Sequence, residues 1–222
     1  MKRQLMKTED GSHTLYVPDL DEHYHSIHGA KQESMHVFID AGLNTHPGKE
    51  LTVFEVGFGT GLNAFLTAME SRNQQRKIAY YTIEKFPLGE EEWKGLNPAA
   101  NEPANEESGL FANLHTCKWN TSVDITPEFR LHKIEGDLIG FDFKSLPLLD
   151  LVFFDAFAPD KQPQLWSAEI FHALYKQTKP EGIVVTYSAK GAVRRTMQSA
   201  GYQVERIPGP PGKREMLRGR KH

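Results

Sequence analysis

Cysteine is nearly absent from these 222 residues: Cys117 stands alone. No intrachain disulfide and no cysteine-built zinc site can form, and a reducing, cytoplasmic setting is the expected one. Long apolar runs are missing too. A membrane-crossing helix needs about 18 consecutive apolar residues, and no such run occurs. The opening Met1-Lys2-Arg3-Gln4 is basic but leads into no apolar stretch, so no secretory leader is expected. His23, His25 and His28 lie close together, yet no carboxylate or cysteine pattern completes a ligand set, and no metal is expected.

The net charge is only −3. Its sum argues against a nucleic-acid binder; its distribution does not. From Lys190 onward nine Lys/Arg stand against two Glu, while residues 87–143 lean acidic. A basic end on an acidic body points to a polyanionic partner. Solvated faces of a helix and a strand are the alternative.

The length suits one large domain with a decorated end. Residues 1–50 read as an N-terminal extension packing on the core, with a strand at 14–17 and a helix over 33–43. Residues 51–222 read as one α/β domain. Strands are expected at 52–56, 78–84, 129–134, 150–154 and 182–187, and helices at 62–70, 166–178 and 191–200. Residues 202–207 and 214–217 pair across the Pro/Gly-rich loop 208–212. The polar, proline-bearing stretch 97–107 reads as a surface loop. Alternation of this kind predicts a Rossmann-like, mostly parallel sheet with helices on both faces and an antiparallel C-terminal strand. Ligands of such sheets bind beyond the carboxyl ends of the strands.

Gly57-Phe58-Gly59-Thr60-Gly61 joins a buried strand to a helix. Glycines there let the backbone turn tightly and a ligand approach closely. The spacing is not the dinucleotide fingerprint, whose third glycine would fall at Leu62, and no Lys-Ser/Thr pair makes a P-loop. Glu55, beside the turn, would repel a pyrophosphate but suit a cationic amino-acid ligand. S-adenosylmethionine carries an ammonium and a sulfonium. Glu84 ends the next strand, where a carboxylate can accept both ribose hydroxyls of an adenosyl group. Asp137 can reach the adenine amino group or serve as a turn residue.

Asp155-Ala156-Phe157-Ala158-Pro159 follows the most apolar strand. A carboxylate there costs free energy unless it is paired or useful. It stands where a sulfonium methyl would meet an acceptor, so Asp155 is the candidate catalytic residue, holding an acceptor amine and taking or orienting its proton. Phe157 would shape the pocket or stack on a flat acceptor.

Glu55-Val56-Gly57-Phe58-Gly59-Thr60-Gly61-Leu62-Asn63, Glu84-Lys85-Phe86-Pro87-Leu88, Asp155-Ala156-Phe157-Ala158-Pro159 with Pro163 and Trp166, and Lys213-Arg214-Glu215-Met216-Leu217 occur in this order. Together they resemble the methyltransferase half of the bifunctional enzymes that complete 5-methylaminomethyl-2-thiouridine at the tRNA wobble position. Glu33-Ser34-Met35-His36-Val37-Phe38 is similar to that family's N-terminal helix. The resemblance covers nearly the whole chain. It implies a class I S-adenosylmethionine-dependent methyltransferase that methylates the exocyclic amine of 5-aminomethyl-(2-thio)uridine in the tRNA anticodon. It places Glu55, Gly57, Phe58, Gly59, Gly61, Asn63, Glu84, Lys85, Asp137 and Asp155 on the cofactor side. A basic rim of Lys190, Arg194, Arg195, Lys213 and Arg214 would contact phosphates, and Phe157 or Trp166 would stack on the flipped base. Two-domain members carry a flavin-dependent domain after this one. The sequence ends at His222 without it, so a separate protein is expected to supply the aminomethyl group. Two other readings remain open: a spermidine-synthase-like aminopropyltransferase and a non-catalytic RNA-binding protein of the same fold.

Overall fold

A computed structural model describes residues 1–27, 29–96 and 106–222. The N-terminal segment forms a small antiparallel sheet, β1 (Gln4–Lys7), β2 (His13–Val17) and β3 (Glu22–His23). It is followed by α1 (Ala30–Ser34), which continues as a π-helical turn over Met35–Asp40. That turn buries Val37, Phe38 and Ile39 in the core it shares with the rest of the chain.

Then strands and helices alternate: β4 (Glu50–Val56), α2 (Leu62–Asn73), β5 (Lys77–Glu84), α3 (Glu90–Leu96), α4 (Glu106–Thr116), β6 (Ser122–Thr126), β7 (Phe129–Glu135) and β8 (Leu149–Phe154). After these come α5 (Ala168–Gln177), β9 (Thr178–Thr186), α6 (Gly191–Ala200), β10 (Gln203–Pro208) and β11 (Glu215–Arg220). The main sheet has the order β10-β11-β9-β8-β4-β5-β7-β6. Its centre, from β9 to β7, is parallel. At the edges β6 is antiparallel to β7, and β11 lies antiparallel between β9 and β10. The chain builds outward from β4 in both directions, so the strand order reverses beside it. That reversal opens a crevice at the carboxyl ends.

Burial explains the central strands. Every residue of β8 is buried, as parallel strands covered on both faces require. Phe153 packs in one core layer with Phe38, Tyr80 and Val185, and Phe154 in the other with Trp166 and Phe171. Each such ring contributes about 1.5–3 kcal/mol by leaving water.

Several boundaries differ from the sequence reading. The helix expected over 166–178 begins at Ala168, because Ser167 caps it by accepting from the Ile170 N–H at 3.4 Å. The strand expected from 182 reaches back to Thr178 through an irregularity in its pairing with β8. The helix expected over 33–43 starts earlier, at Ala30. Strands β1, β3 and β6 and helices α3 and α4 carried no sequence signal strong enough to place them. Of the loop expected over 97–107, residues 97–105 lie outside the described residues, as does His28; Glu106 and Glu107 are not loop but the first turn of α4. Among the described residues no helix is long and apolar enough to cross a membrane.

Candidate active site

The parallel strands β4, β5, β7 and β8 send their carboxyl ends to one side. A cavity of about 500 Å³ opens there. Its wall is built from the residues that follow each strand: 57–60 after β4, 84–86 at the end of β5, 136–139 after β7 and 155–158 after β8. Tyr24, His25 and Glu33 from the N-terminal segment and Lys213 from the β10–β11 loop complete it.

The glycine turn forms one wall with bare backbone. Gly57 has φ +88°, and a Cβ on it would come within 3.1 Å of the Asp155 carbonyl oxygen. Gly61 opens α2 in the left-handed region, at φ +75°, where a Cβ would press on His115 at 2.9 Å. His115 buttresses this turn: its Nε2 lies 3.1 Å from the Thr60 carbonyl, and its ring stacks on Trp93 at 5.2 Å. Burial pushes the imidazole down to about 4, against the opposing Thr60 hydrogen bond, so it is neutral and donates.

Glu84 is locked to the backbone on both sides. Its Oε2 accepts from the Gly59 N–H at 3.0 Å and its Oε1 from the Phe86 N–H at 2.7 Å. Each oxygen keeps lone-pair capacity for a ligand hydroxyl. Asp137 accepts from the Ile139 N–H at 3.0 Å and from Lys85 Nζ at 2.6 Å. The Lys85 hydrogen bond holds its carboxyl below the usual range. Phe86, Leu138 and Ile139 supply apolar surface beside these acids. This half of the cavity offers a carboxylate for a diol, a glycine wall for close approach and a greasy slot for a flat ring. An adenosyl group with a cationic amino-acid tail fits that donor and acceptor set.

The other half is centred on Asp155. Its backbone N–H donates to the Val56 carbonyl at 3.2 Å, tying the turn after β8 to β4. Asn63 Nδ2 donates to its Oδ2 at 2.8 Å. Burial pushes the carboxyl up to about 7; the Asn63 hydrogen bond pulls it down, the Glu33 charge pushes it up and Lys213 pulls it down. The turn that carries Asp155 is pinned twice more, by Tyr187 Oη donating to the Ala156 carbonyl and Trp166 Nε1 donating to the Phe157 carbonyl, each at 2.9 Å. Phe157 meets the Tyr24 ring edge-on, with centroids 5.0 Å apart. Tyr24 is itself held by Arg3, whose Nε donates to its Oη at 3.0 Å. Across the cavity Lys213 Nζ contacts Glu33 Oε1 at 2.5 Å and sits 4.2 Å above the Tyr187 ring.

Of the residues singled out in the sequence, Gly57, Phe58, Gly59, Asn63, Glu84, Lys85, Asp137, Asp155, Phe157 and Lys213 line this one cavity. Others do not. Glu55 is wholly buried and does not line the cavity. Gly61 serves the helix start. Trp166 is packed in the core against Phe154 and Phe171, so its faces are covered and it cannot stack on a base. Lys190 lies off the cavity wall in an exposed pair with Asp160, and Lys213 is paired with the buried Glu33. Arg194, Arg195 and Arg214 lie off the cavity wall. Sequence reasoning passed over Tyr24, His25, Glu33 and Tyr187. The only signal for the first two was the histidine cluster, read there for metal alone.

Residues 115–222 match a family model described as S-adenosyl-L-methionine-dependent methyltransferase. The chain is 31% identical, over 95% of its length, to the tRNA 5-methylaminomethyl-2-thiouridine biosynthesis bifunctional protein MnmC of Burkholderia multivorans. It is 32% identical, over 90% of its length, to the protein of that name from Pseudomonas fluorescens. It spans about a third of those relatives, 34% and 32% of their lengths. The crystal structure of MNMC2 from Aquifex aeolicus superposes with a TM-score of 0.79 at 25% identity, covering 98% of this chain and 70% of that one. Spermidine synthase from Thermotoga maritima, at 13% identity and a TM-score of 0.55 over 98% of this chain and 71% of its own, shares the fold. Sheet order, glycine-walled cavity and these likenesses agree: the chain has the fold of the S-adenosyl-L-methionine-dependent methyltransferases and is similar along nearly its whole length to part of the MnmC proteins.

Proposed function

We propose that this chain methylates the exocyclic amine of 5-aminomethyl-(2-thio)uridine at the wobble position of tRNA in the cytoplasm. The observation that carries the reading is a buried carboxyl on the cavity wall, Asp155, held by Asn63 at 2.8 Å and with its proton affinity raised to about 7. An amine attacks only through its lone pair, so the site must accept or orient a proton near neutral pH. Names borne by the relatives supply the substrate class.

S-adenosylmethionine supplies a methyl group activated on sulfur. Glu84 would hold its ribose, Asp137 and Lys85 its adenine edge, and the backbone of 57–60 its tail. Asp155, steadied by Asn63, takes a hydrogen bond from the incoming amine and receives the proton released on attack. Phe157 and Tyr24 shape the acceptor end and exclude water around it, so that much of the rate comes from positioning. Residues 1–50 act as an extension that completes this end of the pocket, through Tyr24 and Glu33. The aminopropyl-transfer reading gains no support from the acceptor side, where Glu33 is already neutralised by Lys213.

The test is transfer of labelled methyl from S-adenosylmethionine to tRNA bearing the free aminomethyl group. Label in 5-methylaminomethyl-uridine nucleosides is expected. Bound cofactor without label transfer would favour a non-catalytic RNA-binding role.

A further inference from the structure

Glu55 is fully buried in the middle of the protein, yet the cavity does not reach it. Neither of its carboxyl oxygens has a hydrogen-bond partner. The side chains that stand beside it, Thr82, Asn63 and Tyr80, are in the same condition. Tyr80 Oη, Thr82 Oγ1 and Asn63 Oδ1 are buried and unpartnered too. Strand register brings them together: Glu55 pairs with Thr82 across β4 and β5, and Tyr80 pairs with Val53 two residues earlier. Asn63 comes from the first turn of α2 above, and its Nδ2 already donates to Asp155.

An ionised Glu55 can only accept. It would leave Asn63 Oδ1, another acceptor, unsatisfied beside a buried charge, and each such orphan costs about 1–3 kcal/mol. One proton removes both defects. We propose that Glu55 is a positioning residue held as the neutral acid: its O–H donates to Asn63 Oδ1, fixing the amide so that its NH2 stays turned toward Asp155. The Tyr80 and Thr82 hydroxyls donate to the second carboxyl oxygen. Glu55 thus acts through Asn63 on the group that meets the acceptor, with no contact to the cofactor. Burial, the largest influence on this carboxyl, pushes it well above its ordinary value, in the same direction.

The inference deepens the methyl-transfer reading and rests on it only for turnover; its other readouts stand apart. Glu55→Gln keeps a donor toward Asn63 and removes the ionisable group. It is expected to bind S-adenosylmethionine within about threefold of the unaltered protein. The infrared spectrum should lose one protonated-carboxyl stretch in this variant. Glu55→Leu keeps neither donor nor acceptor. Its turnover should fall roughly tenfold or more, and the acid limb of its pH profile should move to higher pH, because Asp155 loses the hydrogen bond that lowers it. Glu55→Gln should restore turnover and limb. No missing carboxyl stretch in Glu55→Gln would overturn the proposal, as would affinity for the cofactor falling by a hundredfold, the mark of a lost charge pair. Should Glu55→Leu fail to fold, the infrared and affinity measurements on Glu55→Gln still decide it. A protein that gave both of these results yet transferred no methyl to tRNA would refute the acceptor and leave Glu55 in place.

Discussion

Asp155 carries opposite consequences for activity and for stability. Its carboxyl is raised to about 7, chiefly by burial. The base form is therefore gained as pH rises through 7, and kcat/KM should climb over the same interval. Asp155→Asn keeps shape and hydrogen-bonding capacity but cannot take a proton. Turnover should drop roughly 10²–10⁴-fold, while calorimetric affinity for S-adenosylmethionine stays within an order of magnitude of the unaltered protein. Near-normal turnover would remove Asp155 from the proton's path. This residue and Glu84 were legible because each ends an apolar strand, where topology concentrates ligands. Trp166 was not legible as a core residue. The sequence shows an aromatic near the motif and does not show that Phe154 and Phe171 cover its ring.

Among elements, the notable tie is between the N-terminal helix and the β10–β11 loop, which meet over the acceptor end through Glu33 and Lys213, 180 positions apart. Glu33 also accepts the Ser26 N–H at 2.8 Å, so one carboxylate orders the segment after β3 and the loop before β11. An exposed pair contributes little, but Glu33 is buried and Lys213 half-exposed over Tyr187. Lys213→Met leaves Glu33 without its counter-ion. KM for the acceptor tRNA should rise about tenfold with a smaller change in kcat, and the loop at 208–214 should become more open to limited proteolysis. Unchanged KM and cleavage would mean that the tie is incidental. Sequence pattern captured β4, β5, β8 and α6 because their apolar rhythm follows directly from burial. It missed α3 and β6, which are short, polar and only partly covered, and α4, whose buried side is only Phe111 and Leu114. It also missed the role of residues 22–27 and Glu33 in the cavity, since they reach it only when Val37, Phe38 and Ile39 are buried with the core.

Among the buried titratable groups of the described residues, two histidines and two carboxyls act on folding in opposite directions. His25 and His115 are each pushed down to about 4, mainly by burial, from an ordinary 6.5. Below 6.5 the unfolded chain binds protons that the folded chain refuses until about 4, so their contribution to stability is lost as pH falls through that window. Asp155 and Glu55 have raised values, against ordinary ones of 3.8 and 4.5. Each is ionised in the unfolded chain while still protonated in the folded one, so stability is lost as pH rises, up to about 7 for Asp155. Across roughly pH 4.5–6.5 His25 and His115 therefore oppose Asp155 and Glu55, which flattens the pH dependence of the intact protein's stability. Asp155→Asn combined with Glu55→Gln removes one side of this balance. The double variant should be more stable at pH 7, by on the order of 1–3 kcal/mol. It should then lose stability on acidification with a slope approaching about 2.7 kcal/mol per pH unit, the value for two protons taken up on unfolding. Denaturant midpoints measured in half-unit pH steps would read both effects. Parallel curves for the two proteins would mean that the carboxyls do not hold their protons in the folded state, and with that the neutral acid beneath Asn63 would be lost as well.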